Sequence, residues 1–466
     1  MPYKRLSLLL AVALLLGMAA CGPSTGRTAG PDMSTIFADA NLDAAVRAAL
    51  GRPSGPIGAA EVAELTDLDA AGQNITDLSG LEQVLNLATL ALSGNAIGDL
   101  SPLASLSSLT ELRLDGNLLL DDLAPLANLN DLETLFLNGN MIDDVSALAS
   151  LTGLRELWLQ TNPLSDLRPL ASLSSLSVLN LGGTSVTDLS PLASLGALTE
   201  LSLNDTRITD ISPLTSLTGL RLLNLDNSRI SDLAPLASLT NLIWLYLGDN
   251  QVTDLSPLSS LRRLSRLHVN GNEIVDVSPL ASVESLTRLV IDVGPVVDAE
   301  PLSMLPDIEV LWVVIFPDKN LEDGIRQILN KPAGVINSLE LSRISLMKLT
   351  GRGIADLTGL EYCTGLKMLD LSLNQIVDIS ALAAMPEVRQ VHLEHNQIVD
   401  ISALSTLEKL FRVTLSENEI TDISPLVDNP GLGIGDTLDI RFNPLDNETL
   451  DDHIPDLLER GVKVEW

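Results

Sequence analysis

The sequence predicts a solenoid, in which short coils stack so that a parallel β-sheet lines one face and tight turns line the other. Two observations predict it. A 22-residue unit recurs through most of the 466-residue chain and is clearest in Leu242–Arg263. That unit carries leucine or valine at seven fixed positions. Stacked units can bury these side chains against one another, whereas a single compact core could not grow this large.

Each unit predicts a short strand followed by a compact turn. With the first leucine counted as position zero, positions three and five, such as Leu245 and Leu247, alternate with polar residues. This alternation is typical of a strand with one buried face. The D-L-S-P-L segment that follows favours a single turn of 3₁₀ helix. We expect the sheet to form the concave face, with positions two, four, six and seven directed outward.

Two arrays of units are predicted. The first spans residues 64–315 and the second residues 344–445, where the last unit is displaced by three residues. One extra residue is expected near Asp121-Asp122. Units begin at Leu65, Leu87, Leu109, Leu132, Leu154, Leu176, Leu198, Leu220, Leu242, Leu264, Leu286 and Ile308, and then at Ile344, Leu366, Val388 and Leu410.

Helical caps are predicted before, between and after the arrays, over residues 34–63, 316–343 and 446–466. Asp39 and Asp318 are expected to cap helix starts. Seven residues of the first cap recur 279 positions later, which indicates a duplicated cap and array. Phe37, Asn41, Leu42, Leu50, Pro53, Gly55 and Ile57 recur as Phe316, Asn320, Leu321, Leu329, Pro332, Gly334 and Ile336.

Two polar columns accompany the leucines. Position eight is asparagine in most units, as at Asn250, but Thr184, Thr206 and Ser228 replace it in three consecutive units. A side-chain amide there can satisfy backbone groups that the turn leaves without partners. Position twelve is aspartate almost throughout, as at Asp254. It could form a calcium-binding column, but the favoured interpretation is a cap that accepts N–H bonds from the following turn.

These units resemble the 22-residue leucine-rich repeats of the bacterial internalin family. The segment F-P-D-K-N-L…I-R-Q-I-L-N-K-P, followed by I-A-D-L-T-G-L-E-Y, resembles the cap that begins such repeat regions, and N-P-L-D…H-I-P-D-L…R-G-V-K-V resembles their closing segment. The resemblance covers residues 34–466. It implies a leucine-rich-repeat solenoid of the α/β class that grips a protein on its concave face. No wall-sorting signal or immunoglobulin-like module is matched, so a role in invasion is not implied.

The N-terminus predicts an export signal of the lipoprotein type over residues 1–20. The basic pair Lys4-Arg5 precedes an apolar run that is too short to span a bilayer. Met18–Cys21 resembles a bacterial lipobox, with methionine in place of the usual leucine, which implies lipidation of Cys21. An ordinary cleaved signal is the alternative. Residues 21–33 predict a flexible tether, and the expected location is the cell envelope, anchored to a bacterial membrane.

The net charge of −33 argues against two classes of partner. Nucleic acids and anionic lipid headgroups both require clustered lysine and arginine side chains. We therefore expect a protein partner and no nucleic acid, and the chain itself is expected to be a monomer.

The candidate binding residues stand mainly at position four, in the middle of the concave sheet. The chain has only twelve aromatic residues, and several fall in this column. Exposed aromatic side chains on a rigid surface are typical of interface hot spots, although aromatics also simply suit strands. The candidates are Phe136 and Trp158 in one patch, and Trp244, Tyr246, His268 and Trp312 in another, flanked by Asp205, Asp226, Asp249 and Asp292.

Enzymatic chemistry is not indicated. The sequence lacks the serine-hydrolase elbow, the metalloprotease helix motif and the phosphate-binding loop. His392, Glu394 and His395 could hold zinc, but two exposed histidines on a strand are the favoured interpretation. Cys363 is expected to be buried and inert, with no disulfide. We predict no metal and no cofactor.

The sequence thus predicts a non-catalytic binding protein of the cell envelope that captures a macromolecular ligand, most simply a protein. Two alternatives stay open, which are a structural or scaffold protein of the envelope and a glycan-binding module.

Overall fold

The structure of the protein is a computed structural model that describes residues 36–293 and 298–466. The predicted export signal, Cys21 and the tether lie outside these residues. Within the described ranges, no helix combines the length and the apolar character needed to cross a bilayer.

Two parallel sheets follow one another along the chain, and every strand pairs with the strand of the next unit. The first sheet has twelve strands: β1 (Asp67–Asp69), β2 (Thr89–Ala91), β3 (Glu111–Arg113), β4 (Thr134–Phe136), β5 (Glu156–Trp158), β6 (Val178–Asn180), β7 (Glu200–Ser202), β8 (Leu222–Asn224), β9 (Trp244–Tyr246), β10 (Arg266–His268), β11 (Arg288–Asp292) and β12 (Glu309–Val313). The second sheet has six: β13 (Leu346–Lys348), β14 (Met368–Asp370), β15 (Gln390–His392), β16 (Arg412–Thr414), β17 (Thr437–Asp439) and β18 (Lys463–Glu465).

Short 3₁₀ helices line the side opposite the strands, and most begin at the S-P-L position of a unit, where A-P-L, S-A-L, R-P-L or E-P-L replaces S-P-L in many units. They span Leu81–Gln83, Ser101–Leu103, Ala124–Leu126, Ser146–Ser150, Arg168–Ser172, Ser190–Ser194, Ser212–Ser216, Ala234–Ser238, Ser256–Ser260, Ser278–Ser282, Glu300–Met304, Leu360–Tyr362, Ser380–Ala384 and Ser402–Thr406. Strands pack about 4.8 Å apart, and the bulkier turns force wider rungs, so the sheet is the concave face. The predicted leucine-rich-repeat solenoid is confirmed.

Six α-helices complete the fold within the ranges that the structure describes. They are α1 (Ala40–Ala49), α2 (Ala59–Val62), α3 (Lys319–Leu329), α4 (Ser338–Ser342), α5 (Ser424–Val427) and α6 (Ile454–Glu459), and a π-helical turn spans Thr449–His453. Helix α6 follows that turn and leads into β18, which adds the last strand to the second sheet.

The leucines form two cores, the first from Phe37 to Leu305 and the second from Val314 to Val462. In the unit that begins at Leu242, all seven apolar positions are at most 1% exposed. Burying one such side chain is worth about 1.5–3 kcal/mol before conformational entropy is subtracted. Since each unit covers only its neighbours, the ends of the array must be capped.

The asparagine column joins successive rungs. The Nδ2 group of Asn250 donates to the carbonyl oxygens of Leu225 (2.8 Å) and Leu247 (3.0 Å), while its Oδ1 accepts the N–H of Ile230 at 3.0 Å. One amide therefore satisfies buried groups in its own coil and in the preceding one. The expected structural role of this column is confirmed.

Three consecutive rungs lack this amide. Thr184 and Thr206 donate only to carbonyls of their own coils, Leu181 at 2.6 Å and Leu203 at 2.7 Å. A hydroxyl is too short to reach the position-ten N–H groups of the preceding coils. Among the described residues, those buried groups have no hydrogen-bond acceptor: they are the N–H groups of Leu164, Val186 and Ile208.

The aspartate column caps the 3₁₀ turns. The Oδ1 of Asp254 accepts the N–H of Ser256 at 2.7 Å, and its Oδ2 accepts the hydroxyl of the same serine at 2.7 Å. These bonds lower the pKa of Asp254, and the side chain of Arg168 lowers the pKa of Asp166 to about 2. The favoured capping interpretation is confirmed, and the described residues hold no group of acidic, histidine or cysteine side chains arranged for a metal ion.

The extra residue of the first array lies slightly earlier than predicted. Leu120 is fully buried, whereas Leu118 and Leu119 are both 65% exposed. The insertion therefore follows Asn117 directly and bulges into solvent, so that the apolar column resumes at Leu120.

Helices α1 and α3 start in the same way. Asp39 accepts the N–H groups of Asn41 and Leu42 with one carboxylate oxygen, and its second oxygen accepts the N–H of Thr76 at 2.8 Å. Asp318 does the same at α3, with Ala355 as the distant donor at 2.7 Å. Each aspartate thus ties its helix to the first inner turn of the array that follows.

Strand β12 requires a correction. Val290 pairs with Leu311 and Ile291 pairs with Trp312, so the spacing from β11 to β12 is 21 residues rather than 22. Leu311, not Trp312, occupies position four. Trp312 lies in the inward column and packs against the first core, which is contrary to its predicted place on the concave face.

The physical reason lies in the turn before the strand. Leu305 is extended, with ψ of 117°, whereas its equivalent Val283 has ψ of 69°, so the turn is shorter. Strand β12 is apolar on both faces, so alternation alone does not fix its register. Leu339 of α4 packs on the outer face against Leu311 and Val313, and this cover stabilises the observed register.

We expect Thr184→Asn to stabilise the protein. The new amide would supply the missing acceptor for the N–H of Leu164, and satisfying one buried group is worth about 1–2 kcal/mol. Guanidinium unfolding and amide hydrogen exchange at Leu164 would measure the change. Thr184→Ser is the matched control. Unchanged exchange at Leu164 in the asparagine variant would contradict this explanation.

Candidate binding face

Strand register aligns the outward column of position four across the first sheet. Reading from β2 to β12, it contains Ala91, Arg113, Phe136, Trp158, Asn180, Ser202, Asn224, Tyr246, His268, Val290 and Leu311. The aromatic members are half-buried, since each is packed against its neighbours on one side and open on the other.

The first aromatic patch is Phe136 and Trp158. Their ring centroids are 5.7 Å apart with an angle of 26° between the planes, which is a stacked pair. The guanidinium carbon of Arg113 lies 4.3 Å from the centroid of Phe136. Three successive rungs therefore form one continuous planar stack, held by cation–π and aromatic contacts.

The second aromatic patch is Trp244, Tyr246 and His268. Tyr246 and His268 meet edge to face at 4.6 Å, and the guanidinium carbon of Arg266 lies 4.9 Å from the ring of Trp244. Trp244 is 37% exposed. Burial, followed by the charges of Arg288 and Arg266, lowers the pKa of His268 to about 4, so its imidazole is neutral at physiological pH.

Carboxylates crowd the edge of the second patch, just after the strands end. Asp226 accepts the N–H of Gly248 at 2.6 Å. Burial raises the pKa of Asp226 to about 6, and the charges of Asp249 and Asp205 add to this effect. Burial likewise raises the pKa values of Asp249 and Asp292.

Amide and hydroxyl groups separate the two patches. The Oδ1 atoms of Asn180 and Asn224 each accept an N–H two residues further along, from Gly182 and Asp226, both at 3.0 Å. Neither Nδ2 group has a hydrogen-bond partner among the described residues, so both amides can donate to a ligand. Ser202 lies between them and donates to Asn204.

The structure therefore brings most of the predicted residues together in two patches on one face, and removes Trp312 from them. It also adds three arginines that the sequence interpretation overlooked, Arg113, Arg266 and Arg288. Their signal was present in the sequence, because they stand at positions four and two of their units, which are outward positions of the repeat.

His392, Glu394 and His395, which the sequence offered as a possible zinc site, each contact other side chains. The Nδ1 of His392 lies 3.0 Å from the hydroxyl of Thr414, which also donates to Glu394. The Nδ1 of His395 lies 2.8 Å from Glu417. These three side chains do not converge on one point. Cys363 is buried, as predicted, and burial raises its pKa to about 12.

The family model for leucine-rich repeats (2 copies) matches residues 130–172, 196–238 and 240–282. Comparison with curated proteins gives no match. Among solved structures, internalin C2 of Listeria monocytogenes is 32% identical, with 55% of this chain and 94% of that chain covered and a TM-score of 0.34. A leucine-rich-repeat protein of Leptospira interrogans is 19% identical, with coverages of 88% and 97% and a TM-score of 0.47.

Another internalin of Listeria monocytogenes (inlF) aligns with nearly the whole molecule. It is 30% identical, with 88% of this chain and 96% of that chain covered and a TM-score of 0.52. This chain belongs to the internalin family of leucine-rich-repeat proteins.

Proposed function

We propose that the protein is a non-catalytic binding protein that captures a protein ligand on the concave face of its first sheet. The observation that carries the proposal is the alignment of Phe136, Trp158, Tyr246 and His268 in one column of that face. Leucine-rich-repeat solenoids commonly present such extended concave surfaces to protein partners. Rigid aromatic and arginine side chains are the residue types that dominate binding energy at interfaces.

The stability cost of this face supports a binding role. The raised pKa of Asp226 means that its charged form is disfavoured in the folded protein, so this carboxylate lowers stability at neutral pH. The neighbouring Asp249 has the same character. Residues that destabilise the free protein are typical of surfaces kept for function.

A glycan ligand is the second candidate. The amides of Asn180 and Asn224, set between two aromatic patches, favour it because sugars offer ring faces for stacking and hydroxyls for hydrogen bonds. A glycan array and affinity capture of proteins from an envelope extract separate the two candidates. A scaffold role without a ligand predicts no retention in either assay.

We place the protein in the cell envelope. The proposal depends on the N-terminal sequence, where an apolar run is followed by the lipobox-like Met18–Cys21. Export would present the concave face outside the cytoplasm, and acylation of Cys21 would hold it at a membrane through the tether of residues 21–33.

We expect the double variant Trp244→Ala with Tyr246→Ala to lose ligand capture, because it removes both large rings of the second patch. Truncating hot-spot aromatics costs about 2–4 kcal/mol each in binding. Retention of proteins from the envelope extract, followed by mass spectrometry, measures this. The melting curve should change little, because neither side chain belongs to the core.

The matched control is Leu118→Ala with Met141→Ala, which removes exposed apolar side chains on neighbouring rungs away from the sheet. Equal capture by wild type and the aromatic double variant would refute the site.

We expect Asp226→Asn to raise the free energy of unfolding by about 1–2 kcal/mol at pH 8. The wild-type carboxyl has a raised pKa when folded, so its penalty is small near pH 4, grows up to about pH 6 and stays constant above. Asparagine keeps the acceptor for Gly248 without the charge. Denaturation at pH 4 and pH 8 measures the difference, with exposed Asp67→Asn as control. A gain of equal size at both pH values would argue against burial of the charge as the cause.

We expect Cys21→Ser to abolish acylation and release the protein from membranes. Labelling of cells with an alkyne-bearing fatty acid, followed by fractionation, measures both effects. Cys363→Ser is the control, because that thiol is buried. Membrane retention of the Cys21→Ser protein would show that lipid on this cysteine is not the anchor.

A further inference from the structure

The charged side chains around the second aromatic patch are sorted by strand end. Arg221 directly precedes β8, and Arg266 and Arg288 are the first residues of β10 and β11. At the opposite strand ends the charged residues are carboxylates: Asp205, Asp226 and Asp249 follow β7, β8 and β9, and Asp292 is the last residue of β11. We call these two rows the arginine edge (Arg221, Arg266, Arg288) and the aspartate edge (Asp205, Asp226, Asp249, Asp292).

Within the described residues, the two edges share only one counter-charge, Glu309. Among the described residues, Arg221 and Arg266 form no ion pair, and Arg288 makes a single one with Glu309 at 3.5 Å. None of the aspartates of the aspartate edge forms an ion pair with lysine or arginine in the same part of the chain. In a molecule with a net charge of −33, an arginine edge with a single acidic partner runs against the general composition.

The edges are also far enough apart to act separately. From position two to position six is four residues of extended chain, or about 13 Å. The Debye length at physiological salt is about 8 Å. The positive and negative fields therefore do not cancel on the surface, and a bound molecule meets both signs, with Trp244 and Tyr246 between them.

From this arrangement, and on the basis of the concave-face function above, we infer that the ligand is a polypeptide segment with an acidic group at one end and a basic group at the other. It lies along the strand direction across β8–β11. An acidic group rests on the arginine edge, a large apolar or aromatic side chain rests on Trp244 and Tyr246, and a basic group rests on the aspartate edge. In an extended segment, the two charged residues would be about four positions apart.

The electrostatics of the aspartate edge agree with a cationic group at that end. The pKa values of Asp226, Asp249 and Asp292 are raised mainly by burial, and like charges nearby add to the effect. A lysine or arginine of the ligand would supply the missing counter-charge. A neutral glycan would leave both edges unpaired, and leaving desolvated charges unpaired is costly.

The test is selection of a displayed random peptide library on the purified protein. Wild type should enrich peptides with an acidic and a basic residue about four positions apart and an aromatic or large apolar residue between them. The variant Arg266→Glu with Arg288→Glu should bind those peptides roughly tenfold more weakly and should select a basic residue in place of the acidic one. Asp249→Arg should instead remove the selection for the basic residue.

Glu156→Arg, a charge reversal at the first residue of β5 on the same face, is the matched control and should leave the selected peptides unchanged. Circular dichroism melting of each variant checks that the exposed substitutions preserve the fold. Enriched peptides that require Trp244 and Tyr246 but carry no opposite charges would overturn the inference on polarity and leave the concave-face function standing. Enriched peptides that bind equally well to the Trp244→Ala, Tyr246→Ala variant would contradict both.

Discussion

The structure depends on one recurring hydrogen-bonded unit, the side-chain amide that lies inside most of the coils. Asn272 shows the pattern, since it donates to Leu247 and Val269 and accepts from the N–H of Val252, all between 2.8 and 3.0 Å. No strand ladder reaches these buried backbone groups, and leaving them unpaired would cost more than a single leucine contributes. The amide therefore fixes the distance between coils. Where an extra residue follows Asn117, the next amide, Asn140, accepts a different N–H, that of Asn117 itself.

Periodicity alone predicted most of the fold, because every unit repeats the same pattern of buried and polar positions. Seven inward positions, one amide and one capping aspartate per unit determine which side of each strand is buried. The rule failed at β12, where Val310 and Trp312 are apolar on one face and Leu311 and Val313 on the other. A proline precedes that strand, at Pro306, yet Pro386 stands at the same place before β15, whose register is regular. The deciding contact comes from Leu339, which is distant in sequence, so no local pattern could reveal it.

The candidate site could be predicted only in part for a different reason. Folding does not require particular residues at the outward positions. Aromatic residues at position four therefore indicated a role other than stability, and the sequence alone showed them. The arrangement of the charged residues could be recognised only once the register of the strands was known. Arg266 and Asp249 are near one another in sequence, but only the stacking of coils places like charges in rows at opposite ends of the strands. The outward position of an arginine such as Arg266 can be read from the repeat, but the like-charged residues beside it on other rungs cannot, so the polarity of the face emerges from the structure rather than from the pattern.

The duplicated helix start has a consequence for how such a protein can change. Asp39 and Asp318 each bond to the array that follows, at Thr76 and Ala355, and nothing in either contact involves the units further along. Whole coils can therefore be gained or lost in the middle of an array by recombination between near-identical segments while both sealed ends survive. The number of coils, and with it the size of the concave face, can therefore change more readily in evolution than the caps that keep the protein folded.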